Sequence, residues 1–234
     1  YSEDIIRDRM KKIPLPARPP GPVRLQSRAW FNENLESRNF YIPGVVAMLI
    51  MVVTLTLTSM SVVREKEIGT MEQIMVTPIT PLEFILGKTL PFAIIGYVDM
   101  LLVVLLARYW FDVPIRGSLP LMFLGTTLYL MSILGIGLLI STLCGTQQQA
   151  LLSTFFFFQP AIMLSGFIFP IANMPEAVQW LTFLDPLRYF MVIIRGIFLK
   201  GVGINILWPE LCALAALGTA VLWLASNRLK KTMA

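Results

Sequence analysis

Five long stretches of this chain carry almost no charge, and that pattern restricts its fold more than any motif does. They run approximately over 43–63, 85–107, 119–142, 149–169 and 205–225. Each is long enough to cross ~30 Å of hydrocarbon as a helix, which takes about 20 residues. A bilayer core offers no water to backbone N–H and C=O groups, so continuous stretches of this length predict helices rather than barrel strands. The predicted fold class is an all-α polytopic membrane protein, a helical bundle. Composition agrees, with 56% of residues hydrophobic and 14% charged, against about 25% charged in soluble domains.

The same composition removes several chemistries. With no histidine, the chain cannot build a Ser-His-Asp triad, a Cys-His pair or an HExxH zinc site. Cys144 and Cys212 lie in or beside apolar segments without close-spaced partners, so they read as small core residues. No catalytic or metal site is expected. Gly87-Lys88-Thr89 is not a phosphate-binding loop, because the first glycine of that motif would fall at Leu82. Lys88 is placed instead to snorkel toward headgroups.

Residues 1–42 differ from the rest, holding eight of the 19 Lys and Arg, five prolines and no long apolar run. They are expected outside the bilayer. Val23, Leu25, Ser27, Ala29 and Phe31 alternate with Arg24, Gln26, Arg28 and Trp30, the period of a half-buried strand. A lone strand needs a partner sheet. Two readings stay open: the end of a water-facing domain whose earlier part is missing, or a basic tail. The first residue is Tyr1 and no signal peptide precedes the first span, so the chain is expected to be a fragment or processed piece.

Between the fourth and fifth stretches, 170–204 is too apolar for a solvated loop yet is broken by Asp185-Pro186, Arg188, Arg195 and Gly196. It is expected to dip partway into the membrane and return, which is tolerated where protein buries it. Orientation is not set by charge. Arg64, Lys66, Lys88, Arg228, Lys230 and Lys231 fall on one side, against Arg108, Arg116, Arg188, Arg195 and Lys200 on the other.

The loop after the first span is the most informative segment. Ile68, Met71, Ile74 and Met75 recur at helical spacing, with Glu65, Lys66, Glu67, Glu72 and Gln73 opposite them, predicting a short amphipathic helix within 64–77. Thr80-Pro81-Leu82-Glu83 reads as a capping box with proline at the first helical position, opening the next span. An apolar stripe with an acidic flank suits docking into a groove on another protein. The alternative is a helix lying in lipid headgroups, for which the acidic face is unusual.

Here the sequence resembles a known family. REKEIGTMEQIMVTPIT, from Arg64 to Thr80, followed by ILGK at 85–88, resembles ABC-2 type transporter permeases. MLSGFIFPIANMPEAVQWLTFLDPLRYFMVIIRGIFLKG at 163–201 is similar to the segment those permeases carry before their last span. WFNENLESRNFYIPG at 30–44 is similar to their lead-in to the second span. The resemblance covers nearly all of 28–230. It implies the ABC-2 exporter bundle with six spans, five of them here, and a large extracytoplasmic domain ending near residue 42. It implies a coupling helix within 64–77 on the cytoplasmic side that docks an ATPase subunit through Arg64, Glu65, Glu67, Gly69, Thr70, Glu72 and Gln73. It further implies re-entrant extracytoplasmic helices over 170–204, with Asp185, Arg188 and Arg195 as gate candidates.

The function implied is the permease subunit of an ATP-binding cassette exporter of drug-efflux type in the bacterial inner membrane, with a cytoplasmic C-terminus. This chain would bind no cofactor; ATP and Mg²⁺ would sit in the partner ATPase. A second permease subunit, identical or related, membrane lipid and a periplasmic adaptor are the other partners in view, and nucleic acid is not. The apolar path favours a hydrophobic or amphipathic substrate. The rivals are a secondary transporter, which would carry inverted repeats, and a membrane-embedded structural subunit not driven by ATP.

Individual residues carry open alternatives. Asp99 is the one acid deep in a span and is a pathway candidate by its cost, or structural glue held by Tyr97, Thr126 or Gln159. Gln159 is itself a pathway candidate beside the block Phe155 to Phe158 and a kink at Pro160. Gly137, Ser141 and Gly145 form a small-residue ridge for subunit contact or for packing within the chain. Asp185 and Arg188, three apart, are spaced to pair.

Overall fold

A computed structural model describes residues 37–70, 80–113 and 115–233. The expected strand over 23–31 and positions Met71, Glu72, Gln73, Ile74 and Met75 of the expected amphipathic helix lie outside the described residues. Among the described residues seven α-helices follow one another: α1 (Ser37–Ile68), α2 (Pro81–Tyr109), α3 (Leu119–Leu143), α4 (Gln147–Leu164), α5 (Glu176–Leu181), α6 (Pro186–Arg195) and α7 (Ile204–Met233). No strand occurs among the described residues. The chain is an all-α polytopic bundle, as its hydropathy predicts.

Among the described residues, four helices are long and apolar enough to cross a membrane, over Tyr41–Ile68, Glu83–Tyr109, Leu119–Leu143 and Ile204–Arg228. The predicted fourth span, 149–169, differs. Helix α4 has 18 residues, about 27 Å at ~1.5 Å per residue, and three glutamines at its start and Gln159 within it lower its hydropathy. It stops at Leu164 because Gly166 turns the backbone into the left-handed region at φ +76°. It still runs the height of the bundle: its first residue bonds to the end of α1, while Phe167 just beyond it packs edge-on against Tyr41 near the start of α1.

Helix α3 is central, packing along α1 on one side and α7 on the other. Glycines on different faces allow this. A Cβ on Gly137 would lie 2.7 Å from Thr58 Cβ of α1, and one on Gly135 would lie 3.0 Å from Val221 Cγ1 of α7. Lipid tails are as apolar as leucine, so such close backbone approach, rather than exclusion of water, holds membrane helices together. Gly137 and Ser141 of the expected ridge therefore serve packing within the chain, Ser141 by accepting the Val62 and Val63 N–H groups at 3.1 Å each. Helix α6 enters the bundle between α1, α3 and α7. Its Phe190 ring stacks on Tyr129 with centroids 4.2 Å apart, and Tyr129 donates to Ala47 O at 3.2 Å. Burial in protein thus accounts for Leu187, Phe190, Met191, Ile193, Ile194, Ile197 and Phe198 of the apolar stretch 170–204, whereas Trp180, Leu181, Phe183 and Leu184 stay exposed.

Two expectations need correction here. Cys144 is buried, but Cys212 is exposed, because α7 buries a narrow stripe through Leu207, Leu211 and Leu214 and Cys212 falls beside it. The capping box at Thr80 is formed, with Thr80 Oγ1 accepting Glu83 N–H at 3.3 Å and Glu83 Oε2 accepting Thr80 N–H at 2.8 Å. However, residues 64–68 do not belong to a separate helix. Nothing between Val63 and Ile68 breaks a helix, so α1 runs on as one rod.

Candidate functional site

The rod ends at Gly69, whose φ of +80° is the left-handed conformation that closes helices. A Cβ there would meet nothing within 4 Å, so the requirement for glycine is one of backbone conformation. The last turn before it, 64–68, is tied to three other helices. Glu65 Oε1 pairs with Lys88 Nζ of α2 at 2.5 Å, and its other oxygen accepts the Thr70 hydroxyl. Lys66 Nζ donates to the Thr142 carbonyl at 2.9 Å and to those of Ser141 and Cys144 at 3.4 Å, at the end of α3. A cation there also opposes the negative end of the helix dipole. Glu67 accepts the backbone N–H of Gln147 at 2.9 Å and its side-chain amide, at the first residue of α4. Thr154 of α4 donates to Ser59 of α1 at 2.8 Å, two turns further in.

These contacts form a latch in which consecutive residues 65, 66 and 67 each hold a different helix. The end of α1, the start of α2, the α3–α4 junction and the end of α7 share this end of the bundle, since Ala225 packs with Val62, Phe84 and Leu138. A cleft of about 500 Å³ opens beside the latch, lined among others by Met60, Arg64, Glu65, Lys88 and Gln147.

Of the residues predicted to dock a partner, Glu65, Glu67 and Thr70 are thus engaged within the chain, Arg64 is exposed, and Glu72 and Gln73 lie outside the described residues. Lys88 does not simply snorkel, because Glu65 takes its charge. Lys66, Ser141 and Gln147 were not among the predicted site residues. Their signal is faint: a lysine in an acidic run, a serine in a small-residue ridge, and a glutamine run before a span.

The other candidates lie apart. Asp99 Oδ2 is buried without a hydrogen-bond partner; Tyr97 instead meets Thr127 Oγ1 at 2.6 Å, Thr126 donates to its own helix, and Gln159 is exposed on α4. At the opposite end of the bundle, Asp185 caps α6 by accepting Leu187 N–H at 3.0 Å. Arg188 does not pair with it: it donates to Thr182 Oγ1 and lies 4.1 Å over the Phe183 ring, since the turn before α6 brings both within reach. Arg195 reaches the Gly166 carbonyl at 3.4 Å.

Comparison with known proteins agrees with this architecture. The family model described as "ABC-2 family transporter protein" matches residues 5–226. The Escherichia coli K12 protein named "Probable multidrug ABC transporter permease YbhR" is 37% identical over 225 residues, covering 94% of this chain and 61% of that protein. "Probable multidrug ABC transporter permease YbhS" of the same organism is 40% identical over 215 residues, covering 88% and 56%. "ABC transporter G family member 20" of Dictyostelium discoideum is 27% identical over 174 residues, covering 74% and 24%. The chain spans about three fifths of the length of the curated bacterial relatives it matches. With a family model matching nearly its whole length and a bundle of apolar helices latched at one end, the chain belongs to the ABC-2 family of transporter proteins.

Proposed function

We propose that the chain forms the membrane-crossing part of an ATP-driven exporter of the bacterial inner membrane, with ATP and Mg²⁺ held by a separate ATPase subunit. A second permease subunit would complete the path. The latch end, with the C-terminus, faces the cytoplasm in this reading, and the segment beyond Gly69 meets the ATPase. The observation that carries the reading is the latch itself. A force applied beyond Gly69 reaches α2 through Glu65, the end of α3 through Lys66 and the start of α4 through Glu67. A partner that binds nucleotide can shift the bundle only if its docked energy differs between two arrangements, and a helix end bonded to three other helices turns such a difference into helix movement.

A groove of about 410 Å³ between α1 and α4, walled by Val52, Thr56, Leu151, Phe155 and Phe158, supports a hydrophobic or amphipathic substrate. The test is reconstitution with the ATPase in proteoliposomes. ATP-dependent transport is expected to fall in Glu67→Lys, which repels nothing at α4 but loses the Gln147 contacts, while Arg64→Cys is labelled from the cytoplasmic side. Vigorous transport without any ATPase, or labelling of Arg64→Cys from outside, would refute it.

A further inference from the structure

At the end opposite the latch, the C-terminal half of α4 and the turn before α6 enclose a pocket of about 250 Å³. Phe156, Phe157, Pro160, Leu181 and Leu184 make its wall apolar, and Asp185 is its one ionisable group. Asp185 is only 5% exposed. Its Oδ1 is used to cap α6, while Oδ2 is buried with no hydrogen-bond partner. Arg188, whose guanidinium is held by Thr182 and Phe183, favours the Asp185 carboxylate through its charge and its backbone N–H, but forms no ion pair with it among the described residues. A carboxylate oxygen removed from water and left without a donor is costly, and such groups in folded proteins require a reason.

A ligand can supply what the fold omits. Aromatic faces attract cations as well as apolar bodies, and one buried carboxylate asks for one positive charge. We propose that this pocket binds a lipophilic monocation, with Phe156 and Phe157 against its apolar body and the Asp185 carboxylate as its counter-charge. As a statement of substrate class this rests on the exporter reading, but the binding itself needs neither ATP nor an ATPase. Burial pushes the Asp185 carboxyl up to about 7, so its ionised fraction, and with it the affinity for a cation, rises with pH across the neutral range. The groups facing it are Arg188 and Tyr189 on its own helix and Tyr129 on α3, with Glu210 of α7 facing Tyr189. Of these groups, Asp185 is the one that burial brings into the neutral range. Helix α4 contributes no ionisable residue.

The experiment measures binding of tetraphenylphosphonium, whose charge is permanent, to the protein in lipid nanodiscs, with empty nanodiscs as background and neutral triphenylphosphine oxide as the control ligand. Affinity for the cation is expected to rise about tenfold from pH 6 to pH 8.5, as the ionised fraction of a group near 7 does, and that for the neutral ligand to stay flat. Asp185→Asn keeps a side-chain acceptor for the α6 cap and is expected to lose at least about tenfold in cation affinity at pH 8.5, with no pH dependence left. Leu184→Trp, at the exposed rim, is expected to weaken both ligands while keeping the pH profile. Wild-type cation affinity in Asp185→Asn, or a neutral ligand bound as tightly as the cation, would overturn the proposal. If Asp185→Asn does not fold, a flat pH profile in the wild type overturns it equally. Cation binding without ATP-dependent transport would uphold the site and remove the exporter reading; transport with flat, charge-blind binding would do the reverse.

Discussion

Replacing Lys66 by methionine keeps most of the side chain's length and removes all three of its donors from the end of α3. The magnitude follows from the geometry. The contact to Thr142 O at 2.9 Å is well formed, whereas those to Ser141 O and Cys144 O at 3.4 Å are at the limit of a hydrogen bond. A hydrogen bond to a charged group contributes about 1.5–3 kcal/mol, and a cation at a helix C-terminus about 0.3–1 kcal/mol at an exposed site. Lys66 is only partly buried, so water replaces some of this, and the expected loss is about 1–2 kcal/mol, or roughly 5–30-fold in the folded-to-unfolded ratio. Lys66→Arg, which keeps the charge and the donors, is expected to recover most of it. Reversible unfolding in mixed micelles, followed by tryptophan fluorescence, measures both variants. If Lys66→Met unfolds at the wild-type denaturant midpoint, the carbonyls at the end of α3 are served by water and the middle contact of the latch does not contribute.

Three further outcomes follow from single features. Gly69→Ala is expected to cost about 1 kcal/mol, because the left-handed backbone crowds a Cβ even where the surroundings are open; Gly69→Asn should cost less, and equal stability of all three in the same unfolding assay would contradict this. Gly137→Ala forces a Cβ to 2.7 Å from Thr58 Cβ, which neither helix can relieve by a rotamer change, so a loss of about 1–3 kcal/mol is expected, accompanied by weaker crosslinking between cysteines placed on α1 and α3. Asp99→Leu is expected to leave stability unchanged or raised, since it removes a buried oxygen with no partner; a clear loss in the unfolding assay would show that Asp99 holds a contact.

How far the sequence revealed the fold depended on which physical effect wrote the signal. Helix existence was plain because the bilayer enforces long apolar runs. The start of α2 was plain to the residue because Thr80 and Glu83 satisfy each other's backbone locally. The end of α1 was misplaced because Arg64, Glu65, Lys66 and Glu67 resemble a loop in composition, whereas only Gly69 carries the backbone conformation that stops a helix. The pairings of Glu65 with Lys88 and Glu67 with Gln147 span 23 and 80 residues of chain, a separation that helical periodicity does not encode. Arg188 was misassigned for the opposite reason: the local rule pairs it with Asp185, but the turn through Thr182 and Phe183 offers a hydroxyl and an aromatic face nearer its guanidinium.

The acidic residues after the first crossing therefore have two employers, and the geometry decides between them. A carboxylate whose oxygens already accept donors from its own chain has little left to offer a partner, and breaking those bonds would charge the cost to docking. Glu65 and Glu67 are in this position, with Lys88, Thr70 and Gln147 as their donors. Arg64, exposed on the same turn and bordering the cleft, is not shielded in this way. Reversing Glu67 would consequently act first on the α1–α4 junction and only through it on any docked subunit, whereas reversing Arg64 would act on the contact directly. Measuring ATPase affinity and transport coupling separately in the two variants distinguishes these routes: loss of coupling at retained affinity for Glu67→Lys, and loss of affinity for Arg64→Glu, is the pattern a latch requires.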